Sequence, residues 1–189
     1  MSKLMLAPVL LFPIVGCVAG SDDPPGDPPD TTYTRTIVRV ADDGSETVSM
    51  EPITATEQRL EHEAAVSDVA AIRAGVKQRT LAVDSCADWY ATKFFDGTGY
   101  TGNELCLIGT GYGRLGAYCS FRFRGVCLRT WSGSVRSFWT GQSALSLGPD
   151  YGTEGCRSGL IQTFPPYEAV TTLDACLLVA TEFWIFTPS

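Results

Sequence analysis

Phe94-Phe95-Asp96-Gly97-Thr98-Gly99-Tyr100-Thr101-Gly102 sets two aromatics, an acid and a run of glycines within one short stretch. Phe95 and Tyr100 are spaced to stack across a tight turn, and Gly99 or Gly102 supplies backbone angles closed to other residues. A fold-back of this kind belongs to β structure, and the flanking sequence has the same character. Upstream, Trp89, Ala91 and Lys93 alternate with Tyr90, Thr92 and Phe94. Downstream, Leu105-Cys106-Leu107-Ile108 reads as a short strand, and Thr110-Gly111-Tyr112-Gly113 reads as a turn. Phe121-Arg122-Phe123-Arg124 alternates aromatic with charge, which predicts one face in a core. Residues 135–140 and 144–147 follow as strands. The apolar tail, Ala175-Cys176-Leu177-Leu178-Val179-Ala180 and Phe183-Trp184-Ile185-Phe186, is broken by Glu182 and too short to cross a bilayer. It reads as core strands.

The fold-back resembles the folded hairpin of βγ-crystallin Greek-key motifs, in which the run is aromatic, aromatic, acid, turn residues, aromatic, any residue, glycine. On that resemblance Phe95, Tyr100 and Gly102 are the hairpin residues, and Ser134 is the later serine that packs on the hairpin and bonds its backbone. The first motif covers residues 88–140. In the second half Pro149-Asp150-Tyr151 resembles the matching turn, with Thr153 where a glycine belongs. The resemblance implies an all-β, two-Greek-key sandwich over residues 84–189. Many microbial βγ-crystallins bind calcium through paired Asn or Asp just before the serine. Arg129 and Thr130 stand there, and an arginine repels a cation that needs oxygen ligands. No cofactor and no metal is therefore expected.

Ahead of this domain the chain reads as an export signal. Lys3 precedes an apolar stretch at residues 4–15, of signal-peptide rather than membrane-spanning length. Ile14-Val15-Gly16-Cys17 resembles the bacterial lipobox. The resemblance implies that residues 1–16 are removed and that Cys17 carries lipid as the first mature residue. Multiple acyl chains would then hold the protein on a bacterial membrane, and Val18 rather than Asp after the cysteine favours the outer membrane or cell surface. Residues 17–30 form a Pro- and Asp-rich, extended, solvated tether.

Residues 31–80 read as a hairpin followed by a helix, an appendage that docks on the domain or serves as a pro-segment. Two β-prone runs flank Asp42-Asp43-Gly44-Ser45, and Asp-Gly is a strong hairpin turn. Thr54 with Glu57 forms a capping box and Gly75 terminates the helix, whose apolar stripe is Ala65, Val69, Ile72 and Val76.

Setting Cys17 aside leaves Cys86, Cys106, Cys119, Cys127, Cys156 and Cys176. An even six in an exported domain predicts three disulfides, with the pairing among them open. Cys119 with Cys127 is the pair that spacing suggests first, because a short loop separates them.

The net charge is −7, with −6 on residues 17–83, −2 on residues 84–189 and +1 from Lys3. A near-neutral domain behind an acidic stalk lacks the concentrated basic surface that nucleic acid needs. The lone His62 is placed on the helix surface beside Glu61 and Glu63, remote in sequence from any nucleophile. Asp96, Glu104, Asp150 and Glu154 are the carboxylates an enzyme would use. Arg122, Arg124, Arg129 and Arg136, interleaved with Phe121, Phe123 and Trp131, read first as a solvated strand face with aromatics beneath. Their functional reading is the binding of anionic polysaccharide, lipid headgroup or nucleic acid.

The expectation is a non-enzymatic, lipid-anchored structural or binding module of a bacterial cell envelope, contacting an envelope polymer or protein. The alternative is an extracellular peptidase inhibitor, since some small secreted bacterial metalloproteinase inhibitors share the fold that the resemblance implies. The stretch from Gly152 to Arg157 would be its reactive loop. Fold alone does not decide between the two.

Overall fold

The computed structural model describes residues 31–41, 43–77, 85–87, 90–149, 161–173 and 177–186. Cys17, the tether, the 150–157 stretch, Cys156 and Cys176 lie outside the described residues.

The hairpin forms as its turn predicts. β1 (Thr32–Val40) pairs antiparallel with β2 (Glu46–Thr54), and Gly44 takes φ 80° in the turn. α1 (Ala55–Arg73) starts on the expected capping box: Thr54 accepts from the Glu57 amide at 3.1 Å, and Glu57 accepts from the Thr54 amide at 2.8 Å. Gly75, at φ 72°, lies just past its end. Ala65 and Val69 are buried and Ile72 is partly so, whereas Val76 lies in solvent.

The rest is β. The strands are β3 (Thr92–Phe95), β4 (Glu104–Ile108), β5 (Gly111–Arg114), β6 (Cys119–Phe123), β7 (Val126–Thr130), β8 (Ser137–Trp139), β9 (Ala144–Pro149), β10 (Gln162–Phe164), β11 (Ala169–Val170) and β12 (Ala180–Phe186). They make a six-stranded sheet ordered β11-β8-β3-β4-β1-β2, a four-stranded sheet ordered β10-β9-β12-β5, and a separate two-stranded ribbon of β6 and β7.

The two large sheets share one core. Val38, Phe94, Leu105, Leu107 and Phe138 of the first meet Leu145, Leu147, Phe164, Phe183 and Ile185 of the second, with Trp131 buried among them. The rings of Phe138 and Phe164 are 4.6 Å apart, edge to face. Because strand side chains alternate, the neighbouring positions face the opposite way, Arg35, Lys93, Glu104 and Trp139 toward α1 and Ile37 and Cys106 into a small cluster with Cys86, Ala91 and Ile108. The six-stranded sheet is thus covered on both faces.

The hairpin and helix are therefore not an appendage. β1 lies inside the six-stranded sheet, parallel to β4, with Arg35 opposite Glu104 and Ile37 opposite Cys106. Its residues Arg35 to Val38 are all buried. The hairpin joins the larger sheet through β1, an interior strand one in from the edge strand β2.

Two disulfides are present among the described residues. Cys119 pairs with Cys127, as their spacing suggested, and Cys86 pairs with Cys106.

Other readings change. Residues 110–113 include the start of β5 rather than a turn alone: Gly113 lies opposite Phe183, and a Cβ on Gly113 would collide with the Phe183 ring. The glycines here mark a close approach of ring to backbone.

Candidate functional site

The aromatic fold-back behaves as expected in all but one residue. Phe95 and Tyr100 meet edge to face at 5.7 Å. Gly99 takes φ 65° and Gly102 φ 89°, where a Cβ would run into the Asp96 carboxylate. Asp96 locks the turn by accepting from the Asn103 amide at 2.7 Å and from its side chain at 2.9 Å, and it pairs with Arg129. The serine that clasps the hairpin is Ser137, not Ser134. Ser137 Oγ accepts from the Tyr100 amide at 3.0 Å and donates to the Gly97 carbonyl at 2.7 Å. Ser134 instead donates to the Thr130 carbonyl at 2.8 Å, closing the end of β7. Both serines sit after the same glycine, and only the β3–β8 register, with Phe95 opposite Ser137, selects the second.

Beneath α1 lies a buried ionic cluster that the sequence did not announce. Arg35 Nη2 donates to Glu104 Oε2 at 3.1 Å, with Nε 3.0 Å from Oε1. Its Nη1 donates to Glu61 Oε1 at 3.1 Å. Lys93 donates to Glu61 at 2.9 Å and lies 3.6 Å from Glu104. Gln58 donates to Glu104 at 3.3 Å and to the Gly102 carbonyl at 3.2 Å. Burial opposes the charge on Arg35, but Glu104 and Glu61 outweigh it and hold the guanidinium above its ordinary pKa. The space beside these groups amounts to about 10 Å³, room for about one water molecule. Both Glu104 and Asp96, the carboxylates singled out for chemistry, are held by structural partners, and Asp150 and Glu154 lie outside the described residues.

His62 is not a surface residue. It is half buried, stacked on Tyr100 with ring centroids 4.2 Å apart and edge-on to Trp139 at 6.1 Å. Burial and the Lys93 charge lower its pKa, against a weaker opposing pull from Glu63. A histidine that resists protonation only when folded gives stability that is fully present above its unfolded pKa of about 6.5 and is lost as pH falls through the depressed folded value. Denaturation midpoints between pH 7.5 and 5 are expected to drop more for the parent than for His62→Gln. Equal drops would refute the assignment.

The third feature is the β6–β7 ribbon. Every residue from 121 to 129 is exposed, so the expected burial of one face does not occur. Phe121, Phe123, Val126 and Leu128 are 48%, 55%, 61% and 61% exposed, and of the three aromatics read as lying beneath the arginines only Trp131 is buried. A cleft of about 360 Å³, lined in part by Val48, Met50, Tyr118 and Arg122, separates the ribbon from β2. An isolated two-stranded ribbon is marginal in water. This one is stapled by Cys119–Cys127, with Cα atoms 5.7 Å apart. Its base is pinned by Thr36 donating to the Cys119 carbonyl at 3.2 Å and by Arg129 reaching Asp96. Arg136 turns back onto the Gly133 and Val135 carbonyls at 3.1 Å. Arg122 and Arg124 have no carboxylate partner among the described residues. The signal that could have found the ribbon is charge: from Glu104 to Asp150 the chain carries five arginines and no acid between them.

No family model matches the chain, and no curated protein matches it. Among solved structures it is similar to the crystal structure of the N-terminal domain of protein S, over 51% of this chain and 96% of that one. The identity is 10% and the TM-score 0.35, too low to carry weight beside the strand pairings themselves.

Proposed function

We propose that the chain is a non-enzymatic binding module of a bacterial cell envelope, held there by lipid on Cys17, with the β6–β7 ribbon as its contact surface. Its scaffold on this reading is a βγ-crystallin-like pair of Greek keys stapled by disulfides. The Phe95–Tyr100 fold-back and its Ser137 clasp support the scaffold half of the reading. The observation that carries the functional half is the ribbon: four large apolar side chains held in solvent on a cross-linked, pinned support. Exposed apolar groups gathered in one place mark contact surfaces, and a staple lowers the ordering cost of binding.

The test uses the polypeptide from Val18 onward, which keeps every described residue and lacks the acylation site. Retention on washed bacterial envelopes is expected, with a loss of about tenfold or more on joint Phe121→Ser and Phe123→Ser substitution. Equal retention of parent and variant would refute the ribbon's role. Micromolar inhibition of a metalloprotease panel by the same polypeptide would replace the binding module with the inhibitor reading.

A further inference from the structure

We propose that the tip of the β6–β7 ribbon inserts into the headgroup layer of an anionic lipid bilayer. Phe121, Phe123, Val126 and Leu128 enter the interface, while Arg122 and Arg124 pair with lipid phosphates. The inference rests on the ribbon being the contact surface and names the class of ligand it takes.

Charge supports an anionic partner. The whole chain is −7, yet the ribbon from Cys119 to Thr130 carries three arginines and no acid. Arg129 is committed to Asp96, whereas Arg122, lining the cleft beside the ribbon, and Arg124, at the turn, are exposed and have no carboxylate partner among the described residues. Long basic side chains lie along apolar surface with the charged head in the polar layer, the arrangement that interfacial segments use on anionic membranes.

Side-chain chemistry favours lipid over polysaccharide. The ribbon holds no Asp or Glu to accept from sugar hydroxyls and no Asn or Gln to donate to and accept from them. Val126 and Leu128 are aliphatic and offer a sugar ring neither a stacking face nor a hydrogen bond. Both suit the boundary between headgroups and acyl chains.

The turn gives an independent indication. Arg124 and Gly125 link Phe123 to Val126, with φ 49° and 82°. Two positive φ values make the hairpin turn that Asn-Gly or Gly-Gly normally occupies. An arginine at its first position is strained, and strain of this sort gathers where function requires it. Arg124 also lies over the Phe123 ring at 5.3 Å, so cation and ring are presented together at the tip.

Vesicle co-sedimentation of the polypeptide from Val18 onward tests the inference. Binding is expected to mixed phosphatidylcholine–phosphatidylglycerol vesicles and not to phosphatidylcholine alone. Joint Arg122→Gln and Arg124→Gln substitution is expected to weaken it about 30-fold. Arg124→Asn keeps a favourable turn residue, so its folding is not in question, and should weaken binding about fivefold. A Phe123→Trp variant should gain blue-shifted emission with the anionic vesicles only. Equal binding to neutral vesicles, unchanged affinity in both arginine variants, or unshifted emission would overturn the inference. So would binding to alginate in place of vesicles, which would assign the ribbon to polysaccharide. If envelope retention depends on Phe121 and Phe123 while vesicles fail to bind, the lipid assignment falls and the contact surface stands. If envelope retention also fails, both fall.

Discussion

Glu104→Ala is expected to destabilise the fold by about 3–5 kcal/mol, the range for removing one partner of a buried ion pair. Glu104 is 0% exposed and receives Arg35, Lys93 and Gln58. Alanine would leave two buried cations facing Glu61 and the half-exposed Glu51, whose nearest oxygen is 3.4 Å from Arg35. The loss comes from leaving two buried cations, Arg35 and Lys93, to share Glu61 with only the solvent-side Glu51 besides, rather than from the intrinsic strength of the original pair. Two controls separate these effects. Glu51→Ala, at the solvent side of the same arginine, should cost under about 1 kcal/mol. A joint Arg35→Met and Glu104→Leu substitution should recover much of the loss, because apolar replacements remove both desolvation costs together. Urea denaturation of the three variants measures the comparison. A loss below about 1 kcal/mol for Glu104→Ala would mean that water reaches the cluster and that the helix is not sealed over it.

The second large effect concerns the staples, which should behave differently. Cys86 and Cys106 are both buried, 20 residues apart in sequence with Cα atoms at 6.0 Å, and they tie the segment before β3 onto β4. Replacing both by alanine is expected to cost about 3 kcal/mol of global stability, the chain-entropy value for a loop of that length. Cys119–Cys127 spans a sequence separation of 8 within an exposed ribbon. Its removal should loosen that ribbon while moving the global denaturation midpoint little, because local opening need not involve the core. Trypsin cleavage after Arg122 or Arg124 would report the loosening. Equal midpoint shifts for the two cystine-free variants would show that the ribbon is part of the cooperative unit.

What could be read from sequence was local. The Asp43-Gly44 turn, the Thr54–Glu57 capping box, the Phe95–Tyr100 stack and the Cys119–Cys127 loop each depend on residues within a few positions of one another. What escaped depends on register across the chain. Arg35 and Glu104 are 69 residues apart, and only the parallel β1–β4 pairing brings them opposite. The same pairing turns an expected appendage into an interior strand of the larger sheet. His62 looked like a surface residue because its neighbours Glu61 and Glu63 are charged, but Glu61 points into the cluster and carries His62 against Tyr100. The ribbon was missed for the opposite reason. Alternating Phe and Arg ordinarily means one face inside, and here no second layer among the described residues covers either face.

The place of β1 has a mechanical consequence. The strand begins at the end of the chain nearest Cys17 and is gripped along its length by β2 on one side and from Arg35 to Arg39 by β4 on the other. Tension transmitted from that end runs along the strand, nearly perpendicular to the ladder bonds with β2, so these bonds share the load and must shear together. A chain tugged from its amino end thus loads a strand flanked on both sides, one in from the edge of the larger sheet, rather than the edge strand itself.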